Sequence, residues 1–448
     1  MQIPTTISKI EDTAIIIAGA SGDLAKRKII PALDVLFKTG KISDSCAIIG
    51  TGRSEFTDES FRERFEVSGQ FSKMLTYHKG FSGIKKSLES KGNFTKTVIF
   101  LSLPPSVYAA SVNELAAEGF GEDVTIVIEK PFGYDHGSAK ELNIAITSHF
   151  TESQIFRIDH YLAKEAVQNI LVFRFANSVF APVWNANYIE SIQINAFEEI
   201  GIEDRGAYFD KSGTIRDVIQ NHLTQLICLM TMEAPVSLSA NDIRCQKTNI
   251  LRVMKLAEST RFQYKGYRDE KGVAKDSTTE TFAEQKLFIN NSRWAGMPIY
   301  IRAGKAVGRR GTEIGIRFKK LPTILFNKDD TVEPNKIIFK IQPAEGIVID
   351  MSSKVPGADL RITNTNMNFC YRDSFSQDIP EAYQKLLMDA LIGDRALFIS
   401  SDEAELQWQV FNKFLDRGKI IEYEKGTPPP PCDNEVWIDF EKYASVCE

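Results

Sequence analysis

A chain of 448 residues exceeds one ordinary domain and is expected to hold two or three. Its 43% apolar and 25% charged residues are those of a soluble globular protein, and its net charge of −5 argues against a general nucleic-acid binder while allowing a local basic pocket for a small anion. No apolar run reaches the length of a membrane span and residues 1–12 lack a signal-peptide pattern; the six cysteines (Cys46, Cys228, Cys245, Cys370, Cys432, Cys447) are scattered without a CxxC pair or a histidine cluster, so reduced thiols, no metal site and a cytoplasmic location are expected.

The first predicted element is a strand over residues 13–18. It runs into Gly19-Ala20-Ser21-Gly22-Asp23-Leu24-Ala25-Lys26-Arg27-Lys28 and then a helical pattern carrying Ile29, Ile30, Leu33, Leu36 and Phe37. Strand, glycine turn and helix in that order are the setting of a dinucleotide fingerprint. Gly19 permits the turn, Gly22 lets the backbone approach phosphate, and Ala25 is small enough for close helix–strand packing; Ala20, Ser21, Asp23 and Leu24 complete the candidate coenzyme turn. The spacing departs from GxGxxG, so the motif alone is weak. Lys26, Arg27 and Lys28 oppose the helix dipole unless an anion such as a pyrophosphate sits there, although solvated basic residues explain the same pattern. A second strand, residues 47–50, leads into Thr51-Gly52-Arg53. NAD-binding folds usually place an acidic residue near this point; a guanidinium there, with Ser21 as helper, favours the extra phosphate of NADP over NAD.

Residues 97–105 read as another buried strand ending in a proline break at Pro104-Pro105, followed by a helix over 107–118 that stops at Gly119. Residues 124–128 form a further buried parallel strand with Glu129-Lys130-Pro131-Phe132-Gly133 at its carboxyl end. Ligands of open α/β sheets bind at such ends. Lys130 and Pro131 are therefore candidates to meet substrate and coenzyme, and the bond between them is one that can be cis; a surface lysine in a turn fits the same residues.

After a short apolar run at 154–156 comes Arg157-Ile158-Asp159-His160-Tyr161-Leu162-Ala163-Lys164-Glu165, read as a strand end entering a helix. With Tyr161 in the first turn, His160 and Lys164 project from one side of a helix start, where free N–H groups also point outward. Imidazole, phenol and ammonium there make a phosphate site, and Asp159 just ahead of them is a carboxylate that can orient another group. A capping Asp and a solvated Lys are the plainer alternative.

Beyond residue 165 the texture changes. Alternating runs at 188–197, 286–289, 299–302, 314–318, 337–341 and 347–351 read as half-exposed strands without intervening helices, hence a mostly antiparallel sheet. A long helix is predicted over 213–232 and another over 242–257. The tail carries helices over 380–392 and 403–414 and an extended proline spacer at 428–431. Of five histidines (His78, His136, His149, His160, His222), only His222 follows residue 160. On an ideal α-helix Asp217, five positions back, points about 140° away from it, which leaves Asp159 as the better orienter. A satisfied core histidine is the alternative for His222.

The chain resembles the glucose-6-phosphate dehydrogenase family from the first strand to about Phe414. The resemblance is carried by Gly22-Asp23-Leu24-Ala25-Lys26-Arg27-Lys28, Glu129-Lys130-Pro131-Phe132-Gly133, residues 157–165, Gln220-Asn221-His222, Ser277-Thr278-Thr279-Glu280-Thr281-Phe282 and Arg302-Ala303-Gly304-Lys305. It implies an N-terminal Rossmann-like α/β domain for NADP over residues 1–160. A larger α+β substrate domain on a mostly antiparallel sheet, with the C-terminal helices, would follow over 161–448. The implied reaction is oxidation of D-glucose 6-phosphate at C1 to 6-phospho-D-glucono-1,5-lactone, with hydride passing to NADP (NAD tolerated at most), the first step of the oxidative pentose phosphate pathway. A homodimer or homotetramer through the antiparallel sheet is implied with it.

By the same resemblance His222 is the general base and Asp159 its partner carboxylate, and His160, Tyr161 and Lys164 clamp the sugar's phosphate. Glu198 and Asp217 bind sugar hydroxyls, Lys130 stands between substrate and coenzyme, and Lys305, Arg310 and Gln342 complete the substrate side. Ala163 stands where the family usually has glycine, and the stretch from Arg53 to Phe100 is short. Gly315 replaces an arginine with which longer relatives hold a second, structural NADP, so that second site is not expected here. Two other readings are a dehydrogenase of a different sugar phosphate and a catalytically silent NADP sensor. The intact clamp and base speak against both.

Overall fold

A parallel strand covered on both faces has to be apolar along its length, and Thr13–Ala18 meets that condition, with all six residues buried. In the computed structural model, which describes residues 9–67, 69–321, 332–375, 379–429 and 437–447, this is β1 of the first of two compact units. The unit comprises Met1–Ala163, Pro235–Cys245 and Pro380–Glu405. Its further strands are β2 (Ala47–Gly52), β3 (Leu75–Lys79), β4 (Lys96–Leu101), β5 (Val124–Ile128) and β6 (Ile155–Ile158). They lie in the order β3-β2-β1-β4-β5-β6, all parallel, and the short strand Phe398–Ile399 adds antiparallel to β6. This is the doubly wound arrangement expected of a Rossmann-like domain. The order reverses between β1 and β4, so ligands are expected at the carboxyl ends of these strands.

One correction concerns the tail. A boundary at residue 160 assigns the helix Ala382–Ile392 to the second domain, but its Leu386, Leu387, Ala390 and Leu391 are buried in the core of the first unit with Ile15, Leu33 and Ile48. Lys96 donates to the carbonyls of Ala390 and Leu391 at 3.3 and 2.9 Å, and Gly393 (φ 85°) ends the helix in the left-handed region. The apolar stripe of that helix matches this sheet wherever it stands in the sequence.

The second unit comprises Lys164–Ala234, Gln246–Ile379 and Leu406–Glu448. Its strands are β7 (Ile189–Phe197), β8 (Met254–Tyr264), β9 (Phe282–Ile289), β10 (Pro298–Gly304), β11 (Gly311–Phe318), β12 (Lys336–Gln342), β13 (Gly346–Lys354) and β14 (Ile362–Cys370), with Ile420–Tyr423 beside β8. The nine-stranded sheet runs β14-β13-β12-β11-β7-β10-β9-β8 and then Ile420–Tyr423. All pairs are antiparallel except β7 with β10 and β8 with Ile420–Tyr423. The predicted helix over 242–257 ends earlier, at Val253, because from Met254 the side chains alternate between buried and exposed and the chain enters β8. β14 carries three asparagines, which strands disfavour, and gave no sequence signal.

The end of the chain returns over this sheet. Ile438, Phe440 and Tyr443 pack on Ile338 and Val348. A Cβ at Gly315 would stand 2.6 Å from Ile438 Cδ1 and 2.8 Å from Phe440 Cζ, so a side chain has no room there beside the tail. Cys447 then meets Cys370 in a disulfide (Cα–Cα 5.2 Å), which corrects the expectation of reduced thiols for these two. The partners are 77 residues apart, a separation that carries no sequence signal. Cys46 and Cys228 are buried and Cys245 is exposed. Cys432 and residues 430 and 431 of the proline spacer lie outside the described residues. No helix among the described residues is long and apolar enough to cross a membrane.

Candidate functional site

In the first unit the candidate residues gather at strand ends. Gly19, directly after β1, has φ 79°, and a Cβ there would run into the Ser102 carbonyl. The turn closes with the Gly22 N–H donating to the Gly19 carbonyl at 2.9 Å, and a Cβ at Gly22 would lie 3.1 Å from that same oxygen. The turn therefore offers bare backbone where a dinucleotide phosphate would approach, and the residues fit such a group. Ala20 is buried, Ser21 and Leu24 are half-buried, and Asp23 is exposed and paired with Arg27 at 2.6 Å. Arg53 follows β2 and is exposed. A second guanidinium escaped the sequence reading: Arg64 donates to the Ser21 carbonyl at 3.0 Å and stacks 5.0 Å from the centre of the Phe56 ring. Nothing in the local pattern around Arg64 points to that role.

At the next strand ends, β5 leads to Glu129 and a cis Lys130–Pro131 bond, and β6 leads to Asp159. Glu129 accepts the Tyr383 hydroxyl at 2.8 Å, a partner from the C-terminal segment that spacing could not reveal. Burial pushes the Glu129 carboxyl up to about 7. The Tyr383 hydrogen bond and the Lys130 ammonium pull it down, and the Asp159 charge adds to the rise.

The predicted helix start at Tyr161 is not what forms. Asp159 Oδ1 accepts the Tyr161 N–H at 3.0 Å and its carbonyl accepts the Leu162 N–H at 3.1 Å, so the chain turns first. The helix begins at Glu165 with Lys164 as its N-cap, so His160 and Lys164 do not share a helix face. His160 instead sets its ring edge-on to Tyr161, with centroids 5.2 Å apart. Asp159 and Tyr161 are buried and His160 is half-buried.

In the second unit, the helix begun by Lys164 is capped by Glu345, unforeseen in the sequence, which accepts the Ala166 N–H at 3.1 Å. Burial raises the Glu345 pKa and the neighbouring Lys164 charge lowers it. Gln342, at the end of β12, stands three residues before Glu345. Lys305 donates to Glu198 at 2.7 Å, so two predicted substrate residues form one pair. Arg310 is exposed between β10 and β11.

The long helix predicted over 213–232 is three pieces: Gly206–Thr214 with a kink at Gly213, a π-helix over Ile215–Leu223, and an α-helix over Thr224–Thr231. The wide winding has local causes, since Asn221 Nδ2 donates to the Arg216 carbonyl at 3.1 Å and Thr224 Oγ1 to the Ile219 carbonyl at 2.8 Å, each five residues back. It corrects the reading of Asp217. A π-helix bonds residues five apart, so positions 217 and 222 come round to nearly one side instead of about 140° apart. Both are buried, and the Tyr208 hydroxyl donates to Asp217 Oδ1 at 3.4 Å.

Comparison with known proteins places this arrangement. A family model described as the NAD-binding domain of glucose-6-phosphate dehydrogenase matches residues 16–169, and one described as its C-terminal domain matches residues 171–442. The chloroplastic glucose-6-phosphate 1-dehydrogenase 1 of Arabidopsis thaliana is 40% identical over 93% of this chain and 80% of its own length. The glucose-6-phosphate 1-dehydrogenase of Dictyostelium discoideum is 39% identical over 93% of this chain and 90% of its own. A solved structure of glucose-6-phosphate dehydrogenase in complex with its substrate glucose-6-phosphate superposes with a TM-score of 0.88 at 34% identity, covering 95% of this chain and 97% of that one.

Proposed function

The chain belongs to the glucose-6-phosphate dehydrogenase family, and we propose how its own residues perform that family's reaction. It oxidises D-glucose 6-phosphate at C1 to 6-phospho-D-glucono-1,5-lactone with a nicotinamide dinucleotide as acceptor. The bound coenzyme supplies the carbon that accepts the hydride. His222 takes the proton of the C1 hydroxyl as the carbonyl forms, because a hydroxyl that kept its proton would leave a cationic product. Asp159 holds the imidazole ready and stabilises its charged form. Asp217, Glu198 and Lys305 receive the sugar hydroxyls, with Arg310 and Gln342 further along the substrate side. His160, Tyr161 and Lys164 receive the 6-phosphate, and Lys130 stands between the two ligands.

The preferred coenzyme is NADP. Arg53 after β2, where an NAD-binding fold would carry a carboxylate, supports this. The observation that carries the reading is the π-wound helix Ile215–Leu223, which turns a carboxylate and the one histidine past residue 160 to the same side. The test is a spectrophotometric assay of coenzyme reduction with NADP and NAD against a panel of hexose phosphates and free glucose. Glucose 6-phosphate with NADP should be the fastest pair. A higher kcat/KM for another hexose phosphate would move the assignment to a different sugar.

A further inference from the structure

The motif Ser277-Thr278-Thr279-Glu280-Thr281-Phe282 is among the most specific in the sequence, yet the reaction just described gives it no task. It leads into β9, and its Glu280 is buried with 2% exposure. Glu280 Oε1 accepts the N–H of Ile215 at 3.0 Å, and the Glu280 carbonyl accepts that of Thr214 at 3.1 Å. Ile215 is the first residue of the π-helix that carries Asp217 and His222. The other carboxylate oxygen receives Arg261 Nη2 and Nε at 2.9 and 3.2 Å, and Arg261, itself 2% exposed, also donates to the Thr278 carbonyl at 2.7 Å.

The chain enters this helix through Gly213, at φ 65° and ψ 175°, where any side chain would run into the Glu280 carboxylate. Glycine thus supplies both the left-handed turn and the space. A second arm holds the next residue: Arg216 donates to Asp416 at 2.9 Å, and Asp416 lies 4.0 Å from Arg261. Residues 214 and 215 at the helix start are therefore tied to the buried Glu280–Arg261 pair, and Arg216 to the exposed Asp416 at its edge. A buried ion pair is a weak source of stability, because desolvation offsets the Coulomb attraction, but its directed bonds fix orientation.

We propose that Glu280, braced by Arg261, is a positioning residue of the reaction: it sets the start and rotation of the π-helix and so aims Asp217 at the sugar and His222 at the C1 hydroxyl. The inference rests on the reading above that those two side chains serve the sugar.

Glu280→Gln keeps the volume and loses the charge. Glu280→Leu with Arg261→Met removes the pair altogether, a change that buried ion pairs often tolerate in folding. For both, kcat and KM for glucose 6-phosphate, the Kd for NADP and the Tm are measured, with His222→Asn alongside. Each folded variant should lose roughly ten- to a hundredfold in kcat/KM, the scale of a small misplacement of reacting groups. The Kd for NADP, whose turn lies in the other unit, should stay within about twofold of wild type, a change below about 0.4 kcal/mol. A folded variant with wild-type kcat/KM overturns the proposal, and so does a series in which every Glu280 variant unfolds, since the role is then structural. Normal turnover in His222→Asn would instead overturn the reading of the base.

Discussion

The turn after β1 and the helix start at Ile215 do the same kind of work by opposite means. At the turn, Gly19 and Gly22 bond each other across three residues, and the strand before and the helix after are written in adjacent sequence. At the helix start, the residue that receives the first N–H is Glu280, and the cation behind it is Arg261. A site built from local turns survives changes elsewhere in the chain, whereas a site held by distant carboxylates is coupled to the whole sheet. The two halves of the reaction should therefore fail separately and to different extents.

The largest failure belongs to the second unit. His222→Asn leaves the coenzyme turn untouched and removes the proton acceptor, so kcat should fall by roughly 10²- to 10⁴-fold while the Kd for NADP is unchanged. In wild type, kcat/KM should decline toward acid as an imidazole takes up a proton, and the variant should lose that limb. Near-normal kcat with the same acid limb would return His222 to the core and break the comparison at its stronger side. A smaller effect, confined to the first unit, is expected of Arg53→Ala. Losing one charge-assisted hydrogen bond should weaken NADP by about ten- to a hundredfold, or roughly 1.5–3 kcal/mol, and leave NAD nearly unaffected. Equal weakening of both coenzymes would mean that Arg53 does not meet the 2′-phosphate and would turn attention to Arg64.

The same contrast explains how much of the molecule is legible in its sequence. Most parallel strands of the first unit can be read because burial on both faces forces continuous apolar runs, and the coenzyme turn because its glycines are required in place; β3, at the sheet edge with only Leu75 buried, carries no such run. Much of the second sheet is legible through alternation, but β14 is not, since its asparagines are tolerated only by pairing along all nine residues with β13. The winding of residues 215–223 escapes an α-helical template because Asn221 and Thr224 act on carbonyls five back, a pattern that template does not contain. The turn at Asp159 escapes it because a short acidic side chain can bond its own backbone and delay a helix. Asp159 and His222 are both legible as candidates from chemistry alone. Glu280 is visible only as a motif without a task, because its use depends on Arg261 and Gly213 arriving from other parts of the chain.

The first unit is not wholly local, and one of its imported contacts gives the smallest effect. Tyr383, from the segment after residue 380, donates to Glu129 beside Lys130. With its pKa raised to about 7, Glu129 holds a proton more tightly in the folded protein than in the unfolded chain. Its protonation therefore favours folding: the contribution is complete below the ordinary carboxylate range and is lost as pH rises through about 7. A tenfold gain in proton affinity is worth about 1.4 kcal/mol. Glu129→Gln, which imitates the protonated group, should remove that part of the pH dependence, so its Tm relative to wild type should rise between pH 5 and 8. Tyr383→Phe should act the other way. Without the hydroxyl that stabilises the carboxylate, the pKa should climb further and the alkaline loss of stability should steepen. Thermal unfolding of the three proteins across that range decides the matter. A Tm difference between Glu129→Gln and wild type that does not change with pH would mean that Glu129 keeps its charge throughout. The tail helix would then contribute apolar packing to the coenzyme unit and nothing to its electrostatics.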